Sequence, residues 1–132
     1  MSETLWLVIA CGVIAVLYGL ITARQIISLS AGNERMQTIA AAIQEGAAAY
    51  LNKQYTAIAA VGVVVAIILF VTLGWTSAVG FLIGAILSGI AGYAGMLVSV
   101  RANVRTTEAS RKGLAEGLSV SFRSGAVTGM LV

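Results

Sequence analysis

Side chains able to do chemistry are few in this chain. Among 132 residues the acidic groups are Glu3, Glu34, Glu45, Glu108 and Glu116, so Asp is absent, and there is no His. That removes a histidine general base, a Ser-His-Asp triad and the Asp-rich ligand set suited to Mg²⁺. One cysteine, Cys11, excludes an internal disulfide. Arg101 and Arg105 stand four apart and could meet an anionic ligand together. Anchoring a helix end at a membrane surface is the commoner use of such residues and the preferred reading here. Tyr18 and Tyr93 are strongly polar aromatic groups inside apolar runs, and they read as hydrogen-bonded packing residues. No catalytic, cofactor-binding or metal-ligating residue is assigned.

The elements that must position these groups are apolar helices. The chain is 59% hydrophobic and only 10% charged, with a mean hydropathy of +0.97 and no Pro, whereas a soluble domain carries about 25% charged residues. Residues 4–23 are uncharged and long enough to cross a bilayer. A secretory signal peptide would need a basic start, and Met1-Ser2-Glu3 has none. The uncharged run 54–100 would be roughly 70 Å long as one helix, against a hydrocarbon core of ~30 Å, so it must fold back. The punctuation is Gly74-Trp75-Thr76-Ser77, a helix-ending Gly, an interface Trp and two hydroxyl residues expected to cap the next helix. Spans two and three are therefore expected at 55–73 and 78–100. The stretch 118–132 turns apolar again and ends without the charged or aromatic flank that closes a span. The expectation is an all-α, polytopic membrane protein with three full spans and the start of a fourth, read as the N-terminal part of a longer chain.

Between these runs the charges sort by loop. Arg24, Arg35 and Lys53 lie between spans one and two, and Arg101, Arg105, Arg111, Lys112 and Arg123 follow span three, while 74–77 carries no charge. Both basic loops then fall on the cytoplasmic face, with Met1 and Trp75 outside. The net charge of +3 reports topology, and no aromatic-basic patch points to nucleic acid. Every charge is read as lying at a span boundary or in a loop. Glu108, Arg111, Lys112 and Glu116 are spaced three or four apart, as on an exposed helix. Asn33 can cap a helix starting at Glu34, with Met36, Ile39, Ala40, Ile43, Ala47, Tyr50 and Leu51 on one stripe. No Pro separates that stripe from Tyr55, so a cytoplasmic helical extension should run straight into span two.

Small residues are patterned. Gly80, Gly84, Ser88 and Gly92 form a ladder at intervals of four, Gly89 and Gly95 are placed on the same side, and Gly113, Gly117, Ser121, Gly125 and Gly129 form a second ladder. In lipid such ladders mark faces where helix backbones approach closely. A conduction path would need an ionisable group at mid-depth, and none is expected there.

Several strings resemble the start of membrane-bound, ion-pumping inorganic pyrophosphatases. They are Gly32-Asn33-Glu34-Arg35-Met36-Gln37-Thr38-Ile39-Ala40, continuing through Ile43-Gln44-Glu45-Gly46-Ala47-Ala48-Ala49-Tyr50-Leu51-Asn52-Lys53-Gln54-Tyr55, then Gly84-Ala85, Ser88-Gly89, Ala91-Gly92-Tyr93-Ala94-Gly95-Met96 and Arg101-Ala102-Asn103-Val104-Arg105-Thr106. The last is Phe122-Arg123-Ser124-Gly125-Ala126-Val127-Thr128-Gly129-Met130. The likeness covers 32–132. It implies a homodimer of about sixteen helices per subunit in a bacterial-type cell membrane, hydrolysing pyrophosphate at a cytoplasmic Mg²⁺ site and moving H⁺, or in some relatives Na⁺, outward. The family's Asp-rich motifs and ion gate lie on later, inner-ring helices, so none of its catalytic residues maps here. The resemblance implies an outer-ring scaffold whose partners are the bilayer and the remaining helices. A small stand-alone transporter or a structural membrane subunit is the rival reading.

Overall fold

A computed structural model describes residues 3–131. They form four helices: α1 (Glu3–Ile27), α2 (Glu34–Leu73), α3 (Trp75–Ser110) and α4 (Leu114–Leu131). Three of them, α1 to α3, are long and apolar enough to cross a membrane. No strand occurs among the described residues.

Local chemistry accounts for the helix limits. Asn33 has extended backbone angles, and its Oδ1 accepts the Met36 amide at 3.0 Å, meeting one of the amides that lack a partner in a first helical turn. From there α2 continues for 40 residues without a break, about 60 Å, so the extension joins span two as the sequence suggests. Hydroxyls that would otherwise be unpaired turn back onto their own helix: Thr38, Thr56 and Thr72 donate to the carbonyls four residues before them.

The reversal between α2 and α3 takes a single residue. Gly74 has φ 85° and ψ 174°, a region that is essentially glycine's alone. α3 starts at Trp75 with no side-chain cap, and Ser77 Oγ donates instead to Leu73 O at 3.4 Å. Thr76 and Ser77 therefore do not cap the helix, because the turn is complete before either is reached. At its other end α3 passes 100 unbroken and stops at Ser110. Residues 111–112 form a turn before Gly113 and the start of α4. One exposed helix through 108–116 is thus not formed. Glu108 and Arg111 do pair, at 2.9 Å, but Lys112 and Glu116 stand on either side of the break.

α3 is the hub. It packs antiparallel on α2 and on α4, and α1 packs chiefly on α4 with a smaller contact to α3. Ile26 of α1, Ala102 of α3 and Val127 of α4 are almost fully buried together, with Ala23, Val98 and Leu131 around them. Elsewhere the surface is apolar: Val71 is 76% exposed, Trp75 68% and Ile86 60%. Such a surface fits a lipid or helix-packed environment.

Candidate functional site

The side chain with the most interhelical bonds is Arg105. Its Nε donates to the carbonyls of Ile27 and Leu29, each at 3.1 Å, and its Nη2 donates to Ile27 O at 2.7 Å. Nη1 returns to Arg101 O at 2.7 Å. Ile27 ends α1, so its carbonyl has no intrahelical partner, and a cation there also meets the negative end of the helix dipole. A guanidinium suits this task because its planar fork donates in several directions at once. Partial burial, then the neighbouring Arg101 charge, lowers the Arg105 pKa from its ordinary value, but a guanidinium stays charged at any physiological pH. Arg101 points elsewhere, with Nη1 3.4 Å from Leu97 O. The two arginines thus bond different sets of carbonyls, and Arg105 is a clamp between helices.

Beside the clamp lies an open cleft of about 460 Å³, lined among others by Arg105, Glu108, Lys112, Glu116, Ser119 and Arg123. Arg123 is not at a boundary. α4 begins at Leu114, earlier than the apolar run suggests, which places Arg123 near the middle of the helix. Its side chain is exposed and lines the cleft together with Lys112. Long cationic side chains reach a polar edge in this way from an apolar helix.

The glycines divide by face. Gly89 and Gly92 look toward α2: a Cβ on Gly92 would lie 2.8 Å from Tyr55 Oη. Gly95 is buried against α4, where a Cβ would lie 3.0 Å from Thr128 Cγ2. Gly89 and Gly95 thus serve different partners, since six helical residues turn through roughly 240° relative to one another. Gly19 of α1 sits against Leu131, and Gly117 against Ser110. Around Gly80, Gly84, Gly125 and Gly129 no neighbouring atom stands within 4 Å of a Cβ.

Tyr93 is a packing residue, as its setting suggested. Its ring meets Tyr55 edge to face with centroids 5.4 Å apart, and its hydroxyl lies 3.4 Å from Asn52 Oδ1. Tyr18 is 41% exposed. Among the described residues no three His, Cys, Asp or Glu side chains gather as a metal site. Nothing in this donor set fits Mg²⁺, which takes carboxylates and phosphate oxygens in octahedral order.

Comparison with known proteins bears on what such a bundle belongs to. The family described as inorganic H⁺ pyrophosphatase matches residues 13–132. A K⁺-insensitive pyrophosphate-energized proton pump of Methanosarcina mazei is 46% identical over 92% of this chain, and a second such pump of Moorella thermoacetica is 44% identical over 93%. A K⁺-stimulated pyrophosphate-energized sodium pump of Thermotoga maritima is 41% identical over 76%. The chain spans 18% of the length of the first two and 14% of the third. On the match over 13–132, the chain belongs to the inorganic H⁺ pyrophosphatase family.

Proposed function

We propose that this chain is the first membrane-embedded part of a pump that couples pyrophosphate hydrolysis to outward ion transport, and that its own contribution is scaffolding. The observation that carries the reading is identity above 40% to pyrophosphate-energized pumps, with a family match through residue 132. Its spans are 4–23, 55–73, 78–100 and the start of a fourth at 118–132. Catalytic, cofactor-binding and metal-ligating residues belong to later parts of the protein, where Mg²⁺ would be held and would supply charge neutralisation of pyrophosphate. Support for this division comes from the absence of Asp and His.

The membrane is a bacterial-type cell membrane, the protein a homodimer. The N-terminus lies outside and the charged ends of the helices lie in the cytoplasm. In favour of that orientation, Arg24, Arg35, Arg105, Arg111 and Lys112 all occur toward the end of the bundle where α1 meets Arg105. H⁺ is the transported ion, as it is in the names of two of the three relatives given above. The test is pyrophosphate-driven quenching of a pH-sensitive dye in inverted vesicles that carry the full-length protein. Quenching abolished by a protonophore supports H⁺ pumping. Na⁺ uptake that survives the protonophore would replace H⁺ with Na⁺, and neither signal would overturn the pump reading.

A further inference from the structure

Two cations at the junction of α3 and α4 are bonded to nothing else in the described structure. Lys112 sits on the turn before Gly113, and Arg123 follows Leu114 by nine residues, about 14 Å along α4. Both side chains are exposed, and among the described residues neither enters an ion pair or a hydrogen bond. They line the same cleft of about 460 Å³ beside the Arg105 clamp. The other charges of that cleft are engaged. Arg105 has turned its donors onto carbonyls, and Glu108 pairs with Arg111. The Glu116 carboxylate folds back over Gly113 in the first turn of α4, where the helix dipole favours a negative charge. An excess of positive charge remains, with the Lys112 ammonium, the Arg123 guanidinium and the exposed Ser119 hydroxyl as its open donors. Donors of this kind suit a phosphate oxyanion, which an ammonium meets as a point charge and a guanidinium meets through two parallel bonds.

The neighbouring flank of α4 says which kind of phosphate. Leu114, Leu118 and Phe122 are spaced by four and are 86%, 66% and 75% exposed, so they form one apolar ridge. Each stands one position before a residue that lines the cleft, namely Ala115, Ser119 and Arg123. Ridge and cleft therefore run side by side down the same helix. A free phosphate ion uses only the donors, whereas a phospholipid uses both surfaces, its headgroup on the cations and an acyl chain along the ridge. Depth agrees with this. The cleft lies at the end of the bundle that holds Arg24, Arg35 and Arg111, where the apolar runs give way to charge, and basic pockets between membrane helices at that level are a recurrent setting for anionic headgroups.

We propose that the cleft between α3 and α4 binds an anionic phospholipid, with the headgroup phosphate held by Lys112 and Arg123 and an acyl chain lying along Leu114, Leu118 and Phe122. A zwitterionic phospholipid carries a cationic group of its own into the same positive field and is held less well. The inference goes beyond the pump reading and rests only on insertion of the bundle in a membrane. Lipid binding and pyrophosphate chemistry can therefore fail separately.

The test is photolabelling of the full-length protein in phosphatidylcholine vesicles. A trace of phosphatidylglycerol, or of phosphatidylcholine, carries a photoactivatable group in its acyl chain, and labelled peptides are mapped by mass spectrometry. The expected result is an excess of phosphatidylglycerol over phosphatidylcholine label on the segment 114–122. Lys112→Gln and Arg123→Gln should each lower that excess by up to about fivefold, the contribution of one cation near an anionic headgroup. Lys112→Arg and Arg123→Lys should retain it, which separates lost charge from lost folding, and Glu116→Gln should raise it. Equal labelling by the two lipids, labelling of this segment by neither, or an excess that does not follow the charge series would overturn the proposal. So would loss of the excess on adding millimolar inorganic phosphate, which would make the cleft a site for a free anion.

Discussion

At the scale of single residues, Arg105 is the most consequential side chain in the described structure. It joins the Ile27 carbonyl that ends α1, and the Leu29 carbonyl just beyond it, to α3 through three hydrogen bonds, and hydrogen bonds from charged groups contribute about 1.5–3 kcal/mol each at most, with partly exposed ones toward the low end. Arg105→Ala should therefore destabilise the docking of α1 by about 1–3 kcal/mol in total, read as a lower thermal midpoint in detergent and faster trypsin cleavage at Arg24 or Arg35. Arg105→Lys should recover less than half of the loss, because an ammonium cannot reproduce the fork. An unchanged midpoint in both variants would show that the clamp is incidental. The sequence offered Arg105 only as an anchor or an anion contact. Its real partners are backbone carbonyls far away in the chain, and no local pattern encodes them. Arg123 was misplaced for a related reason: hydropathy marks where an apolar run begins, whereas the helix begins where the backbone turn at Gly113 allows.

Helices and turns were more legible. Asn33 as a cap, the unbroken run of α2 and the reversal near Gly74 all follow from residue type and spacing, because caps, glycine turns and absent prolines act through the local backbone. What stayed hidden was which neighbour each glycine serves, since a ladder at intervals of four names a face but not its partner. Two predictions separate strain from contact. Gly74→Ala meets no atom within 4 Å yet should cost about 1–3 kcal/mol, seen as a drop in thermal midpoint, because the backbone there needs glycine. Gly92→Leu should disrupt the α2–α3 hairpin by driving into Tyr55, lowering the midpoint of the 132-residue chain, and Tyr55→Ala should restore part of it. Gly84→Leu should leave that chain unaffected and reduce membrane levels only of the full-length protein. Equal effects of the Gly84 and Gly92 changes in the short chain would contradict the division of faces.

For the molecule as a whole, composition told most of the fold class and none of the assembly. An apolar bundle with a small buried core, an exposed hydrophobic belt and charges drawn toward one end suits an apolar surrounding such as lipid. The scarcity of chemically able side chains acquires its meaning from the family: pyrophosphate-energized pumps are several times longer than this stretch, and the catalytic division proposed here assigns their chemistry to the remainder. The central claim is that residues 1–132 scaffold a pump without performing its reaction. The most direct measurement is Mg²⁺-dependent phosphate release from pyrophosphate by the purified 132-residue chain, beside the full-length protein in the same lipid. The account predicts release by the full-length protein and none above the protein-free background by the short chain; turnover by the short chain alone would contradict it.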